Sequence, residues 1–154
     1  MDQVGNHRLL RRDFLISLAS ALMLAVEWAS AKTKSRSPLL IRNRFSPLNK
    51  KRPYRAQTRY IILHTSEGED GGSLNKIVRY GEAHYFVSSS GVVYRVIDKA
   101  KIARHAGRSM WNGETEIDNV SIGIEVAGYH NRDINEKQYA ALRELLRQLK
   151  SLYG

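Results

Sequence analysis

Cysteine is absent from this chain of 154 residues. Disulfides are thereby excluded, and the fold must be held by side-chain packing or by a bound metal. Proline is nearly as scarce, with Pro38, Pro47 and Pro53 the only three. Acidic residues are missing between positions 32 and 60, where ten Lys and Arg stand unbalanced. Apolar runs are short as well. Leu15 to Val26, with Ser17 and Ser20 as its polar members, falls below the ~20 apolar residues that a membrane-spanning helix needs. No internal repeat is present.

What is present begins with an export signature. Arg11 and Arg12 precede Asp13-Phe14-Leu15, the apolar stretch follows, and Ala29-Ser30-Ala31 has the small-x-small form of a cleavage site. Its apolar residues cover every face, which fits a one-sided surface helix poorly. Residues 1–31 are therefore read as a signal, of the twin-arginine type by its arginine pair, with an uncleaved N-terminal anchor as the alternative. The expected location is the periplasm or cell envelope.

The net charge of +10 lies entirely in residues 32–60, because residues 1–31 carry three charges of each sign and residues 61–154 carry twelve of each. All three prolines fall there too, and no periodicity does. Residues 32–57 read as an extended basic arm or linker, suited to an anionic lipid, lipopolysaccharide or wall polymer, or else as a solvated tether. Export argues against nucleic acid as its partner. A monomer is expected.

From residue 58 onward strands and helices alternate, which predicts an α/β fold with a mixed sheet. Tyr60–Thr65 reads as a buried strand. Residues 67–72 read as a loop and 73–80 as a short helix, capped by Ser73 and stopped by Gly81. Runs at 83–87 and 92–97 flank the turn Ser88–Gly91 and predict a hairpin. Residues 99–118 are irregular, and 120–127 read as a strand with Gly123 at its middle, where something approaches the backbone closely. Residues 135–153 predict a helix with a capping box, Asn135 with Gln138. Its apolar stripe is Tyr139, Leu142, Leu145, Leu146, Leu149 and Leu152.

Four histidines and one glutamate draw attention within this frame. His64 closes the first strand, where open α/β sheets place ligands, and neutral imidazole is a common zinc ligand. Glu125 interrupts an apolar strand. Alternation puts it on one face with Ser121 and Gly123, opposite Ile122 and Ile124, so burial should raise its pKa toward general acid–base work. Pairing with Arg104 or Arg108 is the structural alternative. His105, in a tight Gly107-containing loop, either contacts substrate or braces a metal site. His84 reads as a core residue and His130 as solvated.

These stretches resemble a known family. Ile61-Ile-Leu-His64-Thr-Ser, Ala83-His-Tyr-Phe-Val87 with Gly91-Val-Val-Tyr94, Ala103-Arg-His-Ala-Gly107, and Asn119-Val-Ser-Ile-Gly-Ile-Glu125 appear in the order found in zinc-dependent N-acetylmuramoyl-L-alanine amidases of type two. That domain is shared with peptidoglycan recognition proteins. The resemblance covers about residues 58–154, including the helix from Asn135, and implies a mixed central β-sheet flanked by helices. It implies hydrolysis of the amide between N-acetylmuramic acid and L-alanine of the stem peptide, with His64 as the first zinc ligand and Glu125 as the catalytic acid/base. His105 and Ala106 match a substrate-binding loop, and peptidoglycan or muropeptides are the implied partner. The chain departs from the pattern in two ways. Ala83 stands where some members carry a catalytic Tyr. The remaining zinc ligands, a His and an Asp or Cys, follow the last helix in the family, and no such segment occurs here. A domain incomplete at its C-terminus is expected on that ground, with a non-catalytic peptidoglycan-binding module as the alternative.

Overall fold

The computed structural model describes residues 39–154. The export-signal expectation for residues 1–31, and residues 32–38 of the basic segment, lie outside the described residues. Five strands form one sheet: β1 (Ile41–Asn43), β2 (Tyr60–Thr65), β3 (Tyr85–Val87), β4 (Val93–Arg95) and β5 (Ser121–Val126), in the order β1-β4-β3-β5-β2. The hairpin pair β3–β4 is antiparallel, and the other three pairings are parallel. Two helices cover the faces, α1 (Asp70–Tyr80) and α2 (Glu136–Tyr153).

Alternation along the strands divides the core. Ile122, Ile124 and Val126 point with Tyr85, Val87 and Val93 toward α2, which returns Ala141, Leu142, Leu145 and Leu149. Each buried Leu contributes about 1.5–3 kcal/mol, and Leu145→Ala should cost about 2–5 kcal/mol. On the other face Leu74 and Ile77 of α1 pack with Phe86, Val96, Ile97 and Ala103. His64, Gly123 and Glu125 share this second face, at the edge of the smaller apolar cluster under α1.

The capping signals act as expected in α2. The Asn135 side chain accepts from the amides of Lys137 and Gln138, and Gln138 reaches back to the Asn135 amide. Its stripe is narrower than expected, because Tyr139 and Leu152 are exposed and Gln138 is buried instead, donating to the Ala127 carbonyl. Helix α1 starts three residues earlier than the sequence suggests. Ser73 lies inside its first turns, with its hydroxyl receiving a hydrogen bond from Ser66, and does not cap it. Gly81 ends α1 as expected, in the left-handed region at φ 64°, its amide donating to the Ile77 carbonyl.

The basic segment is the main correction. Residues 39–57 are not an arm. β1 pairs in parallel with β4, and Arg44, Arg52 and Arg55 all reach into the domain. Arg52 donates to the carbonyls of Tyr80 and Gly81 at the end of α1, where helical carbonyls have no partner of their own. Arg44 donates to Asn75 on the same helix. A run without periodicity reads as a linker, but here its guanidinium groups do structural work that hydrophobic patterning does not record.

Candidate active site

His64 and Glu125 are opposite one another in the register of the parallel pair β2–β5, so both side chains leave the sheet on the same face. Glu125 is half-buried. Its Oε2 is closed off from solvent with no hydrogen-bond partner among the described residues. Burial, reinforced by the negative charge of Glu82, pushes its carboxyl up to about 7. Neither Arg104 nor Arg108 pairs with it; Arg104 instead approaches Asp118 at 4.0 Å. A carboxyl in this state exchanges a proton near neutral pH.

Behind His64 lies a chain of hydrogen bonds that determines where its protons sit. The Ser121 hydroxyl donates to the Ile117 carbonyl at 2.6 Å, so its oxygen receives the proton of His105 Nε2 at 2.9 Å. His105 Nδ1 is then an acceptor, and at 3.1 Å it takes the proton of His64 Nε2. The sequence leaves His64 Nδ1 as the imidazole nitrogen with its lone pair free. The His105 side chain is fully buried. Burial holds its pKa down to about 4 against the opposing pull of Asp118, and burial lowers His64 in the same way. Both rings are neutral at pH 7.

Gly123 makes this packing possible. A Cβ there would stand 2.3 Å from Cγ of His105, so the ring lies directly on the glycine backbone. The close approach expected from a glycine within the strand is met by this imidazole. Asp118, a buried carboxylate that sequence reasoning passed over, accepts the amides of both His105 and Ala106 at 2.9 Å. It anchors the loop that carries them. The signal for it was slight, since an acid ahead of a strand ordinarily reads as solvated.

His84 is the core residue that was expected. It is fully buried. Its Nδ1 accepts from the Gly123 amide, so Nε2 carries the proton and donates to the Lys101 carbonyl at 2.8 Å. Arg55 donates to the same carbonyl. Burial drives the His84 pKa down to about 3, and the Arg55 charge adds to that effect. His130 is exposed, and its ring bonds Glu67 at 2.9 Å, while Thr65 donates to the same carboxylate. That pair stands at the end of β2, apart from the His64–His105 chain.

A groove of about 530 Å³ follows the outer edge of β2 and opens beside His64. Ile62 and Leu63 line it from β2, and Ala106, Met110 and Trp111 wall it from the loop after β4. That wall is held by reciprocal backbone bonds between Trp111 and Glu114 and by the Arg59–Glu114 ion pair at 3.0 Å. Ala106 therefore lines the groove, while the His105 ring lies behind His64.

Among the described residues, no three His, Cys, Asp or Glu side chains gather as metal ligands. His64 Nδ1 and Glu125 Oε2 are two candidate donors where a stable zinc site takes three or more. The described residues by themselves do not fit a zinc ion.

The sequence model of the family described as N-acetylmuramoyl-L-alanine amidase matches residues 54–154. No curated protein matches the chain. Solved structures resemble it at low identity. AmpDh3 from Pseudomonas aeruginosa is 21% identical with a TM-score of 0.59, over 66% of this chain and 48% of that one. The N-acetylmuramyl-L-alanine amidase AmiD from E. coli, solved with anhydro-N-acetylmuramic acid-L-Ala-D-gamma-Glu-L-Lys, gives 21% and 0.59 over 65% and 45%. An AmpD structure gives 21% and 0.63 over 78% and 79%. The chain thus spans about half the length of the first two. At these identities the likeness speaks to the fold, a mixed α/β sheet with helices on both faces.

Proposed function

Because the chain belongs to the N-acetylmuramoyl-L-alanine amidase family, we propose that it hydrolyses peptidoglycan or its muropeptides at the amide joining N-acetylmuramic acid to L-alanine. The observation that carries this reading is the Glu125 carboxyl in register with His64, its Oε2 without a hydrogen-bond partner among the described residues. The complex of AmiD with an anhydromuramyl peptide supports the substrate class.

In this mechanism a muropeptide lies with its amide over the His64–Glu125 pair and the rest of it in the groove. Glu125 as carboxylate takes a proton from the attacking water, whose oxygen bonds to the lactyl carbonyl carbon. The same carboxyl then gives that proton to the alanine nitrogen as the C–N bond breaks. The products are a free lactyl carboxylate and a free amino terminus. A group titrating near 7 performs both transfers at neutral pH. His64, neutral and oriented through His105, presents Nδ1 to the reacting centre. Zinc, which the family implies, would supply Lewis-acid polarisation of the carbonyl, but the described donors do not by themselves make its site.

That shortage of donors favours a second reading, a module that binds muropeptides without cleaving them. The signal-like residues 1–31 support an envelope location for either. Incubating the purified chain with an anhydromuramyl tripeptide, with and without added zinc, and identifying products by mass spectrometry separates the two. Release of free tripeptide with an intact lactyl group on the sugar is expected. Binding without release would favour the module, and neither binding nor release would sink both.

A further inference from the structure

The basic segment and the last turn of α1 together carry an unbalanced cationic surface. Arg52 joins the end of α1 through the Tyr80 and Gly81 carbonyls. Arg44 joins the same helix through Asn75. Lys101 donates to the Asn49 and Lys50 carbonyls and lies 5.3 Å over the Tyr54 ring, while Arg79 lies 5.3 Å over Tyr80. These contacts gather the basic segment and the last turn of α1 into one neighbourhood. Arg42, Lys50, Lys51 and Arg79 are exposed there, and none makes an ion pair with a described residue. Of the acids close by, Asp98 bonds the Ala100 amide, and Glu82 faces Lys76 at 3.8 Å.

Charge alone describes a solvated face. The second observation is that apolar rings stand exposed among these cations: Tyr54 at 75%, Tyr80 at 48% and Phe45 at 41%. A soluble polyanion rewards the cations and has no use for the rings. A lipid interface takes both, since phosphate head groups attract Lys and Arg while Phe and Tyr sit at the boundary with the acyl chains. The apolar stretch at residues 15–26, read as an export signal or anchor, belongs to the same end of the sequence.

We propose that the surface formed by residues 42–54 and the C-terminal end of α1 docks on an anionic phospholipid bilayer. The proposal is independent of the amidase reading. Cations of this kind strengthen binding as the anionic lipid fraction rises and lose strength with salt.

The test is co-sedimentation of the full chain with vesicles of phosphatidylcholine alone or with 30% phosphatidylglycerol (a lipid composition of about this anionic content reports the effect). Residues 1–38 are the same in the wild type and in every variant, so the difference between those proteins on the same vesicles isolates the patch. Lys50→Glu/Lys51→Glu/Arg79→Glu should lower partitioning to the anionic vesicles at least about tenfold, with binding to neutral vesicles unchanged. Phe45→Ser/Tyr80→Ser should also weaken anionic-vesicle binding while leaving the retention of soluble polyphosphate unchanged. Equal binding of all three proteins to both vesicles would overturn the proposal. So would a charge dependence shown equally with polyphosphate and indifferent to the rings, which would assign the surface to a soluble polyanion. Circular dichroism of each variant confirms that the fold survives.

Discussion

His64 and Glu125 stand as direct register partners on β2 and β5, one with its ring locked from behind and the other with a carboxyl oxygen that has no partner among the described residues. The asymmetry is chemical. The histidine is held neutral and oriented, while the glutamate is the group free to change its proton. Phe86, the β3 partner of Glu125 in the same row, is fully buried and supplies apolar surroundings that favour the uncharged carboxyl.

Replacing Glu125 by Gln should lower turnover about 10²-fold or more, the ordinary contribution of a positioned acid–base group. The same change should stabilise the protein at alkaline pH. The Glu125 pKa is raised in the folded state to about 7, so stability from its protonated form is present below the unfolded value and lost as pH rises through 7. At pH 8 Glu125→Gln should gain about 1–2 kcal/mol after discounting for partial exposure, and at pH 4 nearly nothing. Thermal melts of both proteins at the two pH values check this.

Histidine burial sets the opposite slope. His84 and His105 have pKa values lowered to about 3 and about 4 by burial, so the unfolded chain takes up protons that the folded chain refuses. Their stabilisation is complete above about 6.5 and is lost as pH falls from there toward 4. Two histidines outweigh the single Glu125 in that window, and urea midpoints should fall steadily between pH 6.5 and 4. A flat profile would show that these rings are protonated in the fold.

Gly123→Ala should destabilise by about 1–3 kcal/mol through overpacking, because the new methyl would meet the His105 ring at 2.3 Å. The readout beyond stability is local. The His105 ring signals should move far more than those of α2, which packs on the other face of the sheet.

Ser121→Ala removes the acceptor that holds the proton on His105 Nε2. Nitrogen-15 spectra of the ring should show a single Nε2–H tautomer in the wild type and a mixture in the variant, with His64 shifted alongside. An unchanged His105 tautomer would mean that Asp118 and His64 suffice to orient the ring.

Much of this was legible in sequence. The strand at Tyr60–Thr65 has the predicted bounds, but it is the edge strand of the sheet with no buried residue and with Leu63 exposed, not the buried strand its apolar run suggests. Alternation across Ser121–Glu125 placed Glu125 opposite Ile122 and Ile124, as found. The hairpin and the capping box followed from local turn and cap chemistry, which needs no tertiary information. What escaped was long-range and polar. Asp118 bonds two amides 12 and 13 residues before it, and Arg55 reaches a carbonyl 46 residues on. Neither leaves a periodic trace, and so residues 32–57 read as an arm or linker. In the sequence His105 reads equally as a substrate contact or as a brace for the site, and only the close approach of its ring to Gly123 shows how deeply it sits.

The most direct measurement is the titration of the Glu125 carboxyl by carbon-13 NMR in the full-length chain, assigned by its loss in Glu125→Gln. A midpoint near 7 is expected, meaning that the group opposite His64 can give and take a proton at neutral pH. A midpoint near 4.3, the ordinary glutamate value, would leave it a permanent carboxylate, unable to return a proton to the leaving nitrogen, and would contradict its assignment as the acid–base group.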